Sequence, residues 1–175
     1  MNEVFLLLGS NVGVRLQNIE NAMAKLEQKA GVLIDCSSVY ETEPWGFVSK
    51  THFLNVVVGI KTHLSAEKLL EVILEIEKEL GRVRQGKTYS SRTIDIDILF
   101  YNSEIINKIH LTVPHPEIPN RQFTLIPMCE IAGKYIHPQN GLSMQEMLFK
   151  CRDKSKVSIY KKEKLNIACK KEESF

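Results

Sequence analysis

Two aspartates spaced two residues apart are the side chains in this sequence most able to do chemistry. They lie in the segment Thr93–Tyr101, whose alternating apolar residues predict a β-strand. On a strand, Asp95 and Asp97 share one face, with Cα atoms about 7 Å apart. The opposite face then carries Ile94, Ile96, Ile98 and Phe100. Two carboxylates at that distance repel each other, and shared Mg²⁺ would relieve the repulsion. The same pattern also fits a solvated polar face, so the pair alone leaves both interpretations open.

Basic residues surround these aspartates in the sequence. They are Arg82, Arg84, Lys87 and Arg92 before the pair, and His115 and Arg121 after it. Guanidinium groups match phosphate oxygens in two-point geometry. Carboxylates that hold Mg²⁺ beside arginines that hold phosphates are the components of phosphoryl transfer, whereas the alternative is a solvated basic loop. Residues 81–88 (GRVRQGKT) match G-x-x-x-x-G-K-[ST], but they follow a predicted helix instead of a strand, which argues against a P-loop enzyme. The chain has no G-x-G-x-x-G.

A second group of residues is aromatic or polar and suits a flat ligand: Trp45, Phe53, Asn55, Tyr89 and Phe123. Asn55 places an amide inside an otherwise apolar strand. Such an amide would read the edge of a heterocycle held between rings, or it would be satisfied by neighbouring backbone. Gly9-Ser10-Asn11 is either an ordinary turn or a place where backbone approaches a ligand.

The elements that must position these residues follow the order β-α-β-β-α-β. The predicted strands are Val4–Gly9, Val32–Tyr40, Phe53–Ile60 and Thr93–Tyr101, with helices from Leu16 to Leu26 and from Ser65 to Leu80. This order predicts an α+β fold, a ferredoxin-like α/β sandwich with a mainly antiparallel sheet and helices on one face. Later elements would extend the core: a strand at Leu111–Val113, a helix over 121–132 broken at Pro127, and a helix behind a Ser143/Glu146 capping box.

Length and charge limit the possible functions. The 175 residues indicate one domain, which we place at 1–151, followed by a Lys-rich extension, 152–175, that we expect to be peripheral or flexible. The whole chain has net charge +2 and the extension +4, so residues 1–151 carry −2. A domain without net positive charge is a poor candidate for nucleic-acid binding. No apolar stretch reaches the about 20 residues of a membrane span, and the four cysteines form no C-x-x-C pair. We therefore expect a cytoplasmic monomer.

Several motifs taken together make the chain resemble the 6-hydroxymethyl-7,8-dihydropterin pyrophosphokinase family, in its stand-alone form. The resemblance runs to about Leu148. Its motifs are L-L-G-S-N at Leu7–Asn11, S-x-x-Y-E-T-E-P at Ser37–Pro44, F-L-N at Phe53–Asn55, E-x-x-L-G-R-V-R at Glu77–Arg84, R-T-I-D-I-D-I-L at Arg92–Leu99, L-T-V-P-H at Leu111–His115, N-R-x-F at Asn120–Phe123 and I-P at Ile126–Pro127.

The resemblance implies a reaction of folate biosynthesis in which pyrophosphate passes from ATP to the dihydropterin and AMP leaves. It assigns catalysis to Arg82, Arg92, Asp95 and Asp97, with the two aspartates holding two Mg²⁺ ions. It assigns ATP binding to Glu77, Arg82, Arg84, Arg92, Ile98, His115 and Arg121. It assigns pterin binding to Gly9, Thr42, Pro44, Trp45, Phe53, Asn55, Tyr89 and Phe123. Residues 82–92 match a mobile loop that closes over both substrates.

The sequence departs from the family pattern in two places. Thr88-Tyr89-Ser90-Ser91 stands where Trp-Gly-Pro is usual before the arginine, and Pro116 stands where an aromatic residue is common. Two other classes of protein remain as alternatives. A palm-type nucleotidyltransferase would also set carboxylates on a sheet, but it usually needs a third carboxylate and a basic groove. A binding module, such as a small-molecule sensor or an RNA reader, would not need metal-dependent nucleotide binding.

Overall fold

The structure is a computed structural model that describes residues 1–44, 51–82, 92–161 and 165. Its strands are β1 (Asn2–Ser10), β2 (Val32–Cys36), β3 (Val39–Thr42), β4 (Phe53–Thr62), β5 (Asp95–Tyr101), β6 (Ile106–Lys108), β7 (Leu111–Val113) and β8 (Val157–Lys161). Its helices are α1 (Arg15–Lys29), α2 (Ala66–Glu79), α3 (Gln122–Ala132) and α4 (Met144–Lys150), with a 3₁₀ turn at Ile118–Asn120. None of these helices is long and apolar enough to cross a bilayer.

The main sheet is antiparallel and has the order β5-β1-β4-β3-β8, while β2 also pairs with β4. The predicted fold class is confirmed: β2 and β3 both pair with β4 and together take the place of one strand, which gives the β-α-β-β-α-β order of a ferredoxin-like sandwich. The prediction of one strand over Val32–Tyr40 is wrong. The chain breaks at Ser37, whose hydroxyl accepts a hydrogen bond from the Val57 N–H at 3.0 Å. The two short strands therefore pair with different halves of β4.

One face of the sheet is covered by α1 and α2. Ile19, Met23 and Leu26 of α1 and Leu69, Ile73 and Ile76 of α2 are buried against it. Helix α2 begins at Ser65, whose hydroxyl accepts from the Lys68 N–H, and the chain turns away at Gly81, where φ is +83°. Both ends were predicted from these residue types.

The other face carries a second core, built by later elements that were predicted to extend the fold without being assigned to a face. Ile118, Leu125, Met128, Met144 and Met147 pack there against Phe5, Leu7, Val57, Leu99 and Phe100. Phe100 was predicted to share a face with Ile96 and Ile98. A β-bulge, visible as a register shift where β5 passes β1, inserts Leu99 and turns Phe100 to the other face.

Two further differences concern the C-terminal half. Helix α3 continues through Pro127, so the predicted break at that residue does not occur. The capping box at Ser143 and Glu146 is confirmed. The strand β8 falls within the extension and was not predicted. The boundary at residue 151 stays a prediction.

Candidate active site

A cleft opens on the α3 side of the sheet, where β1 and β3 end and β4 and β5 begin. Gly9 of β1 pairs with Asn55 of β4 and with Asp95 of β5, and Leu7 pairs with Asp97. Directly paired residues share a face, so these side chains converge. The cleft encloses about 510 Å³, part of it open to solvent, and is lined by Leu7, Gly9, Thr42, Glu43, Phe53, Asn55, Arg92, Asp95, Asp97, Arg121 and Phe123.

Asp95 lies between two arginines at the charged end of this cleft. Arg82 donates to one carboxylate oxygen and Arg92 to the other, each through Nη1. All three side chains are mostly buried, with exposed fractions of 13% for Arg82, 15% for Arg92 and 20% for Asp95. Charge-assisted bonds shielded from water are among the stronger polar contacts in proteins. The predicted phosphate-binding arginines and the first predicted metal ligand are therefore in direct contact.

Glu77 lies behind Arg82 in α2 and is 2% exposed. Its Oε1 accepts from Arg82 Nη1 and, at 2.9 Å, from the backbone N–H of Ile96 in β5. Glu77 thus has a structural role: its buried carboxylate connects α2 to β5 and orients Arg82. This geometry differs from a direct contact in the cleft, where Glu77 was predicted to help bind ATP.

Arg92 is held from the opposite side by residues that sequence reasoning left undecided. Asn11 Oδ1 accepts from the Arg92 N–H at 2.8 Å, and the Asn11 N–H donates to the Arg92 carbonyl at 3.2 Å. Ser10 Oγ donates to the Thr93 carbonyl. Ser10 and Asn11 therefore hold the segment that enters β5 in place. The sequence feature that could have indicated this role is a hydroxyl and an amide placed directly after an apolar strand.

Asp97 lies two residues further along β5, and its side chain is 32% exposed, compared with 20% for Asp95. Burial, followed by the charge of Asp95, raises the pKa of Asp97, while Arg121 and Arg92 oppose that rise. The repulsion expected between the two aspartates is thus present in the folded chain. A cation bound to both would remove it.

His115 approaches Asp97, with 4.0 Å between Nε2 and Oδ2. Burial, then the charge of Arg121, lowers the pKa of His115 to about 4, so the ring is neutral at pH 7. Its Nδ1 accepts from the Glu117 N–H at 3.2 Å. The single ring proton therefore belongs on Nε2, on the side of the ring nearest Asp97, although His115 itself does not line the cleft.

Arg121 and Phe123 lie at the start of α3 on the far wall. Arg121 is 7% exposed, and its guanidinium carbon lies 5.7 Å from the centre of the Phe123 ring. A cation over an aromatic face is attracted to it, which fixes both groups relative to each other. Both were predicted site residues, and both line the cleft.

The neutral end of the cleft is formed by Thr42, Phe53 and Asn55. Asn55 Nδ2 donates to Thr42 Oγ1 at 2.7 Å, so the amide is oriented from one side. Gly9 matters here, because a Cβ at that position would come within 3.1 Å of Asn55 Oδ1 and 3.8 Å of the Phe53 ring. Glu43 and Leu7 also line the cleft and were not predicted. Pro44 follows Glu43 and is half-buried.

Four predicted site residues require separate comment. Arg84, Trp45 and Tyr89 lie outside the described residues. The side chain of Ile98 is 5% exposed in the core beneath α1 and α2, on the face opposite the cleft. Its backbone groups lie along the same strand edge as those of Ile96, because alternate residues of a strand direct them alike.

Comparison with known proteins supports one family. A family model described as 7,8-dihydro-6-hydroxymethylpterin-pyrophosphokinase matches residues 5–133. The 2-amino-4-hydroxy-6-hydroxymethyldihydropteridine pyrophosphokinase of Bacillus subtilis is 44% identical over 131 residues, covering 74% of this chain and 78% of that protein. The Aquifex aeolicus protein of the same name is 44% identical over 138 residues, covering 79% and 85%.

Larger proteins contain a similar region. The folic acid synthesis protein fol1 of Pneumocystis carinii is 39% identical over 150 residues, which are 86% of this chain and 20% of that protein. The wild-type HPPK-DHPS structure of Plasmodium falciparum with pteroate has a TM-score of 0.71 at 17% identity and covers 85% of this chain and 44% of that one. At that identity the likeness supports the fold alone. The match over residues 5–133 and the relatives at 44% identity decide the assignment: this chain belongs to the 7,8-dihydro-6-hydroxymethylpterin-pyrophosphokinase family.

Proposed function

We propose that this chain transfers pyrophosphate from ATP to 6-hydroxymethyl-7,8-dihydropterin in folate biosynthesis. The hydroxymethyl oxygen forms a bond to the β-phosphorus of ATP, the bond from that phosphorus to the α-phosphate oxygen breaks, and AMP leaves. The bridging oxygen stays with AMP, and the proton of the substrate hydroxyl is released to solvent. The observation that carries the proposal is one cleft with a carboxylate and arginine end and a neutral aromatic and amide end.

The charged end suits Mg²⁺ and the phosphates of ATP. Within the described residues, no three His, Cys, Asp or Glu side chains form a metal-binding group. Mg²⁺ is commonly held by one or two carboxylates plus substrate phosphates, so Asp95 and Asp97 fit that role. When bound, the cation would neutralise charge on the phosphates as the reaction proceeds. Two ions are the number expected from the family resemblance.

Arg82 and Arg92 would bind phosphate oxygens and stabilise the charge that develops on them. Both now bond to Asp95. Phosphate oxygens compete for the same guanidinium groups, while a cation competes for the same carboxylate. On substrate binding, the two arginines would therefore exchange Asp95 for phosphate oxygens, and Asp95 would exchange the arginines for the cation. The Nε2–H of neutral His115 would donate to a further phosphate or nucleotide oxygen, and Arg121 would add positive charge nearby.

The neutral end suits a flat pterin. Phe53 and Phe123 would hold its two faces, and the oriented amide of Asn55 would bind its polar edge. Thr42 fixes that amide, and Gly9 leaves space for the ring. We assign Trp45, Pro44 and Tyr89 to the same site, and Arg84 to the nucleotide, on the family resemblance alone. We also propose that the chain acts as a monomer in the cytoplasm on these two small molecules.

The nucleotide product tests the reaction. The protein is incubated with MgATP, with and without 6-hydroxymethyl-7,8-dihydropterin, and AMP is separated from ADP and free phosphate. AMP that requires both the pterin and Mg²⁺, without release of phosphate, is the expected result. Formation of ADP, or AMP formed equally well without the pterin, would contradict the proposal.

A further inference from the structure

The strand β8 adds to the sheet beside the neutral end of the cleft. It pairs with β3, so that Val157 lies opposite Thr42 and Ser158 opposite Glu41. It follows the last residue matched by the family model, 133, by more than 20 positions. Thr42 of β3 lines the cleft, so the pairing of β8 with β3 helps to fix the position of a cleft residue.

Arg15, at the start of α1, connects this strand to both sides of the neutral end. Its Nη1 donates to Glu41 Oε1 at 2.7 Å and to the His52 carbonyl at 2.9 Å. Glu41 directly precedes Thr42, and His52 directly precedes Phe53. One guanidinium group therefore connects the end of β3 to the start of β4, next to the cleft residues Thr42 and Phe53.

Tyr160 of β8 completes this arrangement. The Arg15 guanidinium carbon lies 5.6 Å from the centre of the Tyr160 ring. The ring attracts the cation and limits its motion, so β8 restrains Arg15 as well as pairing with β3. The contact lies far from the nucleotide end, because β5 and β3 are separated by three strand spacings, about 14 Å.

We infer that Arg15 and Tyr160 are positioning residues for the pterin half of the site. They act through Thr42, whose Oγ1 accepts from Asn55, and through the start of β4 at Phe53. A shift of Thr42 turns the Asn55 amide and misaligns the polar edge it binds. The inference rests on the proposed function. It also gives the C-terminal extension a part in recognition of the pterin.

Isothermal titration calorimetry on the full chain tests this inference. One titration uses α,β-methylene-ATP with Mg²⁺, and a second adds 6-hydroxymethylpterin to the nucleotide-bound protein. Arg15→Ala should weaken pterin binding by about tenfold, since it removes a charge-assisted pair and a backbone contact. Tyr160→Ala should weaken it by about threefold, and Tyr160→Phe should restore it. Nucleotide binding should change by less than about twofold in each variant.

Lys25→Ala is the matched control. Lys25 lies on the same helix and pairs with Glu79 of α2 at 2.5 Å, away from β3 and β4. It should leave the affinity for the pterin unchanged. Equal losses for both ligands, or wild-type pterin affinity in Arg15→Ala, would overturn the inference while leaving the proposed function intact. Failure of the wild-type chain to bind the pterin at all would overturn both.

Discussion

The two faces of the sheet are covered to different extents, and this difference creates the site. Along β1, Val4, Leu6 and Leu8 are all buried beneath α1 and α2. On the other face, Phe5 and Leu7 are buried beneath α3 and α4, but the next position is Gly9, which lines the cleft. A continuous layer of helices stabilises the fold. A layer that stops before the strands end leaves their last residues available for chemistry.

The largest effect should come from a polar residue on the incompletely covered face. Asp97→Asn should lower kcat/KM by about 10³-fold or more, since it removes a charge from the proposed cation site. Thermal stability should be unchanged or higher without divalent cations, because the raised pKa of Asp97 shows that its charged form is disfavoured. Steady-state AMP formation and thermal unfolding measure the two effects. Glu71→Gln, at an exposed carboxylate on α2, is the control. Unfolding of Asp97→Asn would instead indicate a structural role.

A neighbouring residue on the fully covered face should behave in the opposite way. Ile98→Ala should lower the free energy of unfolding by about 2–4 kcal/mol, because it creates a cavity beneath α1 and α2. Nucleotide affinity should stay within about threefold, since only the backbone of Ile98 lies at the strand edge. Chemical denaturation and nucleotide titration make the comparison. A large loss of nucleotide affinity at wild-type stability would restore a direct role for this side chain.

A smaller effect should distinguish the pterin half of the cleft from the nucleotide half. Asn55→Ala should weaken pterin binding by about 10- to 100-fold, the cost of one buried hydrogen-bonding group. Nucleotide binding should change little, because Asp95 and the arginines lie across β1 from Asn55. Separate titrations of the two ligands measure this. Thr42→Ser keeps the acceptor for Asn55 and should have a much weaker effect. Equal losses for both ligands would contradict a division of the cleft into two halves.

The smallest effect concerns pH. The folded chain retains the Asp97 proton above the ordinary pKa of 3.8, whereas the unfolded chain releases it. Stability from this group is therefore lost as the pH rises from about 4 towards neutrality. His115 acts oppositely, since its pKa is lowered to about 4 and stability rises with pH from there to the ordinary value of 6.5. The Tm difference between wild type and Asp97→Asn cancels the His115 contribution and should widen as the pH rises. A constant difference would contradict the raised pKa.

The structural features that were predicted correctly are those marked by local signals in the sequence. Alternation identified β5, Ser65 and Gly81 marked the ends of α2, and the capping box marked α4. These features depend on neighbours within a few residues. The assignment of Asp95 and Asp97 to one face followed from the same local geometry, and their place in the cleft agrees with it.

The features that escaped prediction depend on distant partners. The bulge that turns Phe100 to the second core arises where β5 passes β1, more than 90 residues earlier. The strand β8 forms because β3 offers an unpaired edge more than 100 residues away. The buried position of Glu77 likewise requires the approach of α2 to Ile96. Residue type identified the charged groups, but only the assembled sheet determines which of them contact one another.

The contact between Glu77 and Ile96 also occupies part of the outer edge of the sheet. The strand β5 is the last strand on its side of the sheet, and such an edge can recruit a strand from another molecule and start aggregation. Here the Ile96 N–H is occupied by the Glu77 carboxylate, and the Leu99 carbonyl accepts from the His115 N–H at 2.9 Å. Groups that a second chain would need at these two positions are already bonded within the molecule. The buried carboxylate that holds Arg82 therefore also protects this edge against strand addition.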